Sequence, residues 1–147
     1  MIARVRIRIR RLHPHAVIPA YAHGPAEDAG MDLCAVEDVE LPPGIPRLAP
    51  TGLQIEIPPG FEGQVRPRSG LAARNAITIP NAPGTIDPGY RGEIRVILLN
   101  LSGEPYTVRR GDRIAQLVIA RYEAVEWEEA ELNDSRRGGG GFGSSGR

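Results

Sequence analysis

The segment Gly84–Gly92 reads Gly-Thr-Ile-Asp-Pro-Gly-Tyr-Arg-Gly and is followed by an apolar stretch, Ile94–Leu99. Its glycines permit sharp backbone reversals, and Pro88 fixes the φ angle directly after Asp87. We therefore predict a stiff turn that carries the Asp87 carboxylate and the Tyr90 ring at the entrance to a strand. The strand is so apolar that we expect it at the centre of the fold, buried on both faces. Taken alone, the turn is as compatible with an ordinary exposed hairpin as with a functional loop.

The rest of the chain consists of short strand-like pieces separated by turns. Pro42–Gly44 and Pro58–Gly60 are such turns. Short strands with Gly/Pro turns about 8–12 residues apart are typical of sandwiches, barrels and jelly rolls. The only helical signal is Ser69–Asn75, with Ser69 as the candidate N-cap. We therefore predict an all-β fold, a jelly-roll or β-clip-like barrel of short strands with one short helix. The other predicted strands are Arg4–Arg10 (an edge strand), Leu53–Ile57, Phe61–Arg66, Ile114–Ile119 and Arg121–Trp127.

Composition restricts the classes of function. The chain has 147 residues, enough for one domain, and its 18 basic residues, all arginine, balance 18 acidic ones. This balance disfavours a general binder of nucleic acid or membrane surfaces, and the arginine-rich N-terminal strand lacks aromatic residues that would stack on RNA bases. Any phosphate contact must come from guanidinium groups. Because no apolar run reaches membrane-spanning length and no signal-peptide pattern opens the chain, we expect a cytoplasmic protein.

The cysteine and histidine residues give no sign of a structural metal site. The single cysteine, Cys34, excludes an internal disulfide, and its apolar neighbours predict a small core residue in a reducing compartment rather than a reactive thiol. His13, His15 and His23 invite a zinc site, but no cysteine or acidic ligand cluster shares their spacing. We therefore predict that they bind no zinc.

Residues 135–147 form a low-complexity tail rich in glycine. Composition alone favours a flexible terminus or the remnant of an expression sequence. A lone Phe142 among glycines, with arginine and serine nearby, favours instead an arm that contacts a ligand. The run is not a P-loop, because no Gly-Lys-Ser/Thr sequence and no helix follow it. We accordingly divide the chain into a β domain, 1–134, and a C-terminal arm, 135–147.

Five segments resemble, in order and spacing, the five motifs of the trimeric deoxyuridine triphosphate nucleotidohydrolases, the dUTPases. The resemblance implies hydrolysis of dUTP to dUMP and pyrophosphate with Mg²⁺. It also implies a jelly-roll homotrimer whose active sites lie between subunits and are closed by the glycine-rich arm. The segments are Ala29–Leu33, Pro67–Ala72, Gly84–Asn100, Arg110–Leu117 and Arg137–Gly146.

The third motif carries the residues that the resemblance assigns to the nucleoside and the attacking water. Asp87 matches the acid that orients and deprotonates the water, as a fixed carboxylate can. Tyr90 matches the ring that lies against the deoxyribose, where it leaves no room for a 2′-hydroxyl. Asn81 resembles the residue that contacts the uracil edge, since its amide both donates and accepts. The backbone near Arg95 is expected to add uracil hydrogen bonds, and Gly84 allows close approach of the ligand.

The remaining motifs are matched to the phosphate chain and the metal. Arg68, Ser69 and Gly70 combine a guanidinium, a hydroxyl and backbone N–H groups into an anion site, which is compatible with Ser69 also capping the helix. Gln116 matches a phosphate-side amide. Asp32 resembles the acid that is linked to Mg²⁺ through water, in keeping with the tendency of Mg²⁺ to retain several waters.

The resemblance assigns the arm to the bound nucleotide. Phe142 would stack on uracil, while Arg137, Ser144 and Ser145 would bind the γ-phosphate, with Gly143 between them. Because ordering glycine-rich backbone is costly in entropy, we expect the arm to close only when a triphosphate is present.

Two alternatives remain. The dCTP deaminases share the fold and parts of the motifs, but their catalytic glutamate lies three residues before the asparagine of the long strand. Ile97 holds that position here, which argues against a deaminase and against a bifunctional dCTP deaminase/dUTPase. A non-enzymatic jelly-roll binding module is the alternative of a different class, and it gives no reason for a carboxylate, an aromatic ring and a guanidinium in these motifs.

Overall fold

The computed structural model describes all residues, 1–147, and short β-strands form nearly all of its regular structure. One short helix interrupts them, which confirms the predicted all-β, jelly-roll-like class. The helix is not long and apolar enough to cross a membrane. In chain order the elements are β1 (Arg8–Arg11), β2 (Met31–Cys34), β3 (Val39–Leu41), β4 (Arg47–Pro50), β5 (Leu53–Glu56), β6 (Phe61–Arg66), α1 (Ser69–Asn75), β7 (Ile77–Thr78), β8 (Gly84–Ile86), β9 (Arg95–Asn100), β10 (Tyr106–Val108) and β11 (Arg113–Arg121).

The strands form four antiparallel sheets that join distant parts of the chain. The largest has the order β2-β11-β6-β8, and a three-stranded sheet has the order β4-β9-β7. Two smaller sheets pair β1 with β5 and β10 with β3. Consecutive strands rarely pair with each other, so the fold depends on contacts between residues far apart in sequence.

Alternating side chains divide the four-stranded sheet into an apolar and a polar face. On the apolar face, Leu33, Val65, Ile86 and Leu117 are buried in one core of 20 apolar residues. The opposite face is polar, and Asp32, Gln116 and Arg66 lie side by side on β2, β11 and β6. The period of two residues in these strands therefore places the polar motif residues on a single surface.

Strand β9 differs from its prediction. Val96, Leu98 and Asn100 are buried, but Ile97 and Leu99 are only half-buried and Arg95 is exposed. The prediction of burial on both faces is therefore wrong within one chain, because only one face of this sheet packs on the core. The other face, with Ile97 and Leu99, stays partly open to solvent.

The strands predicted at the two termini are also partly wrong. The edge strand begins at Arg8 rather than at Arg4, and it pairs on one side with β5. Strand β11 ends at Arg121, and the predicted strand Arg121–Trp127 is absent, with Trp127 88% exposed. The segment Arg121–Trp127 has an alternating pattern, but no strand of the chain pairs with its residues after Arg121. Periodicity predicts the tendency of a segment, whereas a strand also requires a partner.

The helix has the predicted bounds but a different cap. Arg68 is the N-cap residue, with extended backbone and no side-chain cap hydrogen bond. Ser69 is therefore the first helical residue, and its prediction as the N-cap is wrong. The helix ends at Asn75, and the C-cap residue Ala76 adopts a left-handed φ of 53° and donates its N–H to carbonyl groups of the last turn.

Candidate active site

A cleft of about 220 Å³ lies between β8 and β9. It brings together all five residues that the sequence assigned to the nucleoside and the water: Asn81, Gly84, Asp87, Tyr90 and Arg95. Its inner wall is apolar, with contributions from side chains of the core. The cleft therefore combines an apolar floor with a carboxylate, an amide and a phenol at its rim.

Backbone groups of two strand edges face this cleft. Strand β8 pairs with β6 alone, and β9 meets β7 only at Leu99 and Asn100. The facing edges of β8 and β9 consequently carry N–H and C=O groups that lie outside the sheet ladders. Such groups can donate to and accept from the edge of a planar base, as the next strand of a sheet would.

The Tyr90 ring is held against the loop that follows Asp87. Its backbone N–H donates to the Asp87 carbonyl over 3.1 Å, and its hydroxyl donates to the Glu93 carbonyl over 2.9 Å. A Cβ atom added at Gly92 would overlap the Tyr90 ring. None of Gly84, Gly89 and Gly92 has a positive φ. The expected role of these glycines in backbone reversal is therefore corrected, since Gly92 instead provides space for the ring.

Asp87 lies directly after β8, on the polar side of the strand. Its side chain is exposed at the rim of the cleft, and its carboxylate forms no hydrogen bond within the chain. Pro88 follows and begins a tight turn. A carboxylate that is fixed at its backbone and open at its oxygen atoms can accept a proton from a bound water.

A second cluster of predicted residues lies on the polar face of the four-stranded sheet. The Asp32 carboxylate lies between two guanidinium groups, 3.7 Å from Nε of Arg68 and 3.9 Å from Nε of Arg113. Arg68 also donates to the Arg113 carbonyl over 3.1 Å. Gln116 is the cross-strand neighbour of Asp32, and its side chain lies against Gly30. This cluster has the positive charge that a phosphate chain requires.

Sequence reasoning missed Arg113. It lies within the fourth motif, three residues before Gln116, and its guanidinium shares the Asp32 carboxylate with Arg68. A second arginine beside a predicted phosphate residue is a signal that the sequence contained. Its significance depended on the pairing of β2 with β11, which joins distant segments.

Asp32 provides a test of the predicted metal link. Its Oδ1 atom is buried and accepts no hydrogen bond. No group of three or more His, Cys, Asp or Glu residues could hold a metal ion directly. A buried carboxylate oxygen that accepts no hydrogen bond, in a cluster without further acidic ligands, fits an acceptor for metal-bound water better than a direct metal ligand.

Cys34 lies next to this cluster but does not join its chemistry. It is half-buried rather than a core residue, which corrects the prediction. Burial, and to a lesser degree the charge of Asp32, raises the pKa of its thiol. The thiol is therefore largely protonated at neutral pH, in agreement with the predicted absence of a reactive cysteine.

The two clusters are far apart within one chain. The register of β6 with β8 places Asp87 level with Glu62, whereas Gln116 is level with Arg66. The Cα atoms of Asp87 and Gln116 are therefore four residues apart along the strands and two strand spacings apart across the sheet. These spacings correspond to a distance of roughly 16 Å. Asp87 and Gln116 therefore lie in different parts of the surface of one chain.

The arm lies apart from both clusters. Residues 135–147 form no strand or helix, and their hydrogen bonds are local, such as that from Nε of Arg137 to the Gly140 carbonyl at 2.7 Å. Phe142 is fully exposed, and Gly143, Ser144 and Ser145 do not line the cleft. The structure therefore does not bring the predicted arm residues to the site within one chain.

A sequence model of dUTPase matches residues 16–146 of the chain. The chain belongs to the dUTPase family. A deoxyuridine 5′-triphosphate nucleotidohydrolase of Solibacter usitatus is 72% identical over the full length of both chains. A second, from Gloeothece citriformis, is 51% identical over 97% of each chain. Family membership confirms the resemblance that the five motifs carry.

Solved dUTPase structures have the same fold as this dUTPase. A mutant dUTPase of Staphylococcus bacteriophage 80alpha with dUpNHpp superposes with a TM-score of 0.87 at 28% identity, covering 97% of this chain and 99% of that one. A mutant dUTPase of phage phi11 of S. aureus, described with a structural Mg(II) ion, has a TM-score of 0.79 at 27% identity, covering 87% and 98%.

The structure also bears on the deaminase alternative. Ile97, which occupies the position of the deaminase glutamate, is half-buried and lines the cleft. An aliphatic side chain cannot transfer a proton, so this position offers no group for deamination.

The fit of Tyr90 against Gly92 predicts a contrast between two glycine substitutions. In Gly92→Ala the new methyl group overlaps the Tyr90 ring and displaces it, so kcat/KM for dUTP should fall by about 10-fold or more, the cost of misplacing a group at a site. Gly89→Ala is the matched control, because nothing lies within 4 Å of its added methyl group. Steady-state kinetics of both variants check this. Equal activities would contradict the assigned contact.

Proposed function

We propose that this dUTPase hydrolyses dUTP to dUMP and pyrophosphate with Asp87 as the general base, which removes dUTP from the nucleotide pool and supplies dUMP. The observation that carries the proposal is the cleft between β8 and β9, where an open carboxylate, an aromatic ring and free strand edges meet in a chain of the dUTPase family.

Uracil would enter the cleft with its edge toward the free backbone groups of β8 and β9. The amide of Asn81, beside Gly84 at the cleft, would complete the recognition of the base. The Tyr90 ring, fixed through its hydroxyl, would lie against the deoxyribose. A ring held in this way excludes a 2′-hydroxyl by steric contact, which supports discrimination between dUTP and UTP.

The triphosphate would bind to the second cluster. Arg68 and Arg113 supply positive charge, and the hydroxyl of Ser69, the first residue of α1, would add a donor. The Gly70 N–H and the Gln116 amide would add uncharged donors. Guanidinium groups bind phosphate oxygens through paired hydrogen bonds, so this set suits a chain of several phosphates.

The separation of the two clusters supports an active site shared between subunits. Because roughly 16 Å separates Asp87 from Gln116 within one chain, we propose that the base of one chain acts on a nucleotide whose phosphates are bound by another. The half-buried apolar face of β9 offers a surface that a second copy could cover. A homotrimer with shared sites meets both requirements, and cyclic assembly repeats the same contact around the ring.

In the proposed reaction, Asp87 accepts a proton from water as the water oxygen attacks the α-phosphorus. The bond between the α-phosphorus and the oxygen that bridges to the β-phosphate breaks, and pyrophosphate leaves. Arg68, Arg113 and the neighbouring donors stabilise the negative charge that develops on the phosphate oxygens. Asp87 then carries the proton that its next exchange with solvent removes.

We propose Mg²⁺ as the cofactor, held through water by the buried Oδ1 atom of Asp32. When bound with the triphosphate, the ion would neutralise charge on the phosphate oxygens. The residues of this chain provide the outer hydrogen bonds and the flanking guanidinium groups. We further propose that the arm closes over the nucleotide, with Phe142 on uracil and Arg137, Ser144 and Ser145 at the γ-phosphate. The cytoplasmic location stays a prediction.

The first prediction from this proposal concerns the base. Asp87→Asn keeps the shape of the side chain but cannot accept the proton, so kcat should fall by about 10²–10⁴-fold while dUTP binding persists. A pyrophosphate-release assay measures the rate, and calorimetry with a non-hydrolysable analogue measures binding. Activity near that of the wild type would place the base elsewhere.

The same assay with dUTP, dCTP and UTP on the wild-type protein separates dUTP hydrolysis from the two alternatives, a dCTP deaminase and a non-enzymatic binding module. Preference for dUTP supports the proposal. Equal hydrolysis of dCTP, or no turnover of any nucleotide, would refute it.

The second prediction concerns the arm. A chain truncated after Asp134 should remain folded and oligomeric, because the arm contributes nothing to the core, yet lose most of its activity through the loss of site closure. Light scattering and circular dichroism report assembly and fold, and the pyrophosphate assay reports activity. An unfolded or monomeric truncated protein would contradict this division, as would full activity.

A further inference from the structure

Arg91 is exposed, yet its guanidinium joins three parts of the structure. Its Nη1 atom donates to the Pro88 carbonyl over 2.6 Å and to the Tyr90 carbonyl over 3.1 Å. Its Nη2 atom donates to Oε1 of Glu56 on β5 over 3.2 Å. One side chain therefore links both ends of the turn after Asp87 to a strand of another sheet.

The segment 51–54, at the start of β5, forms further hydrogen bonds with the same loop and the residues that follow it. Nε2 of Gln54 donates to the Arg91 carbonyl over 2.8 Å. Closer to β9, the N–H of Gly52 donates to Oε2 of Glu93 over 2.8 Å, and the Thr51 hydroxyl donates to the Ile94 carbonyl over 2.6 Å. The loop that carries Asp87 and Tyr90 is thus attached along its length to the segment 51–56.

We infer that Arg91 is a positioning residue for the hydrolysis, fixing the Asp87 carboxylate and the Tyr90 ring relative to each other. The two carbonyl groups that it binds belong to Pro88, which follows Asp87, and to Tyr90 itself. This inference rests on the proposed function, since it presumes the roles of base and sugar wall. Displacement of a catalytic group by about 1 Å can cost a reaction up to about 100-fold, so a clamp on this turn bears directly on rate.

The contacts require arginine rather than any cation. A guanidinium presents several N–H donors in a fixed plane, so it can bind two carbonyl groups and a carboxylate at once. The ammonium of a lysine is a compact donor and cannot span the same three acceptors. The ion pair with Glu56 is exposed, and Arg8 shares that carboxylate over 3.4 Å. Because exposed pairs contribute little, the carbonyl contacts must provide most of the effect.

These contacts predict that different substitutions of Arg91 and Glu56 lower the activity to different degrees. Arg91→Ala should lower kcat for dUTP by about 10- to 100-fold with a smaller change in KM, and it should reduce the ratio of kcat/KM for dUTP over UTP. Arg91→Lys should restore activity only in part. Glu56→Ala should cost no more than about threefold, and the double variant should be no worse than Arg91→Ala, because both changes act through one residue.

Arg109→Ala provides the matched control. Arg109 is also an exposed arginine paired with an exposed carboxylate, Asp38, at 3.2 Å, but it lies outside the cleft. Its loss should leave kcat and the dUTP/UTP ratio unchanged. Thermal unfolding of every variant separates positioning from general destabilisation.

The outcomes are distinct. Wild-type protein without dUTP turnover refutes the proposed function, whatever Arg91 does. If wild type is active and folded Arg91→Ala retains its kcat and its dUTP/UTP ratio, the positioning role is refuted. If Arg91→Ala does not fold, Arg91→Lys decides: full activity and an unchanged ratio refute the role, and a reduced kcat with a reduced ratio supports it.

Discussion

The divergence of β8 and β9 into different sheets is the constraint on which the site depends. These strands follow each other along the chain, yet β8 pairs with β6 and β9 pairs with β4. The connecting loop must therefore cross an opening instead of closing a hairpin. That opening is the cleft, its walls are two unpaired strand edges, and the loop carries Asp87 and Tyr90 at its rim. Contacts from the segment 51–56 keep the loop in this position in place of hairpin hydrogen bonds.

The same architecture separates the base from the phosphate residues. Asp32 and Gln116 lie on the polar face of the four-stranded sheet, several residues along the strands from Asp87. In the proposed mechanism, charge neutralisation and proton transfer therefore belong to different regions of each chain. The half-buried face of β9 and the exposed arm have few contacts within one chain. Sites shared between subunits would explain both, because a second chain would cover the face and receive the arm.

Local patterns in the sequence predicted the helix and several of the strands, whereas features that depend on distant partners escaped prediction. The alternation in Phe61–Arg66 and the bounds of Ser69–Asn75 were predictable because they depend on neighbouring residues. The strand Arg121–Trp127 was wrong because periodicity cannot supply a pairing partner. Arg91 and Arg113 were missed because their significance arises from contacts with segments far away in sequence, namely β5 and β2. The five residues that line the cleft were predictable, but the distance between them and the cluster around Asp32 was not.

The central claim is that one active site takes its base and its phosphate residues from different chains. Mixing two inactive variants, Asp87→Asn and Arg68→Ala, by refolding them together tests it most directly. If sites are shared between two chains, random trimers of an equal mixture should contain about a quarter of intact sites and regain about that fraction of wild-type activity. Each variant refolded alone provides the baseline. A mixture no more active than its separate components would contradict the claim and place the complete site within one chain.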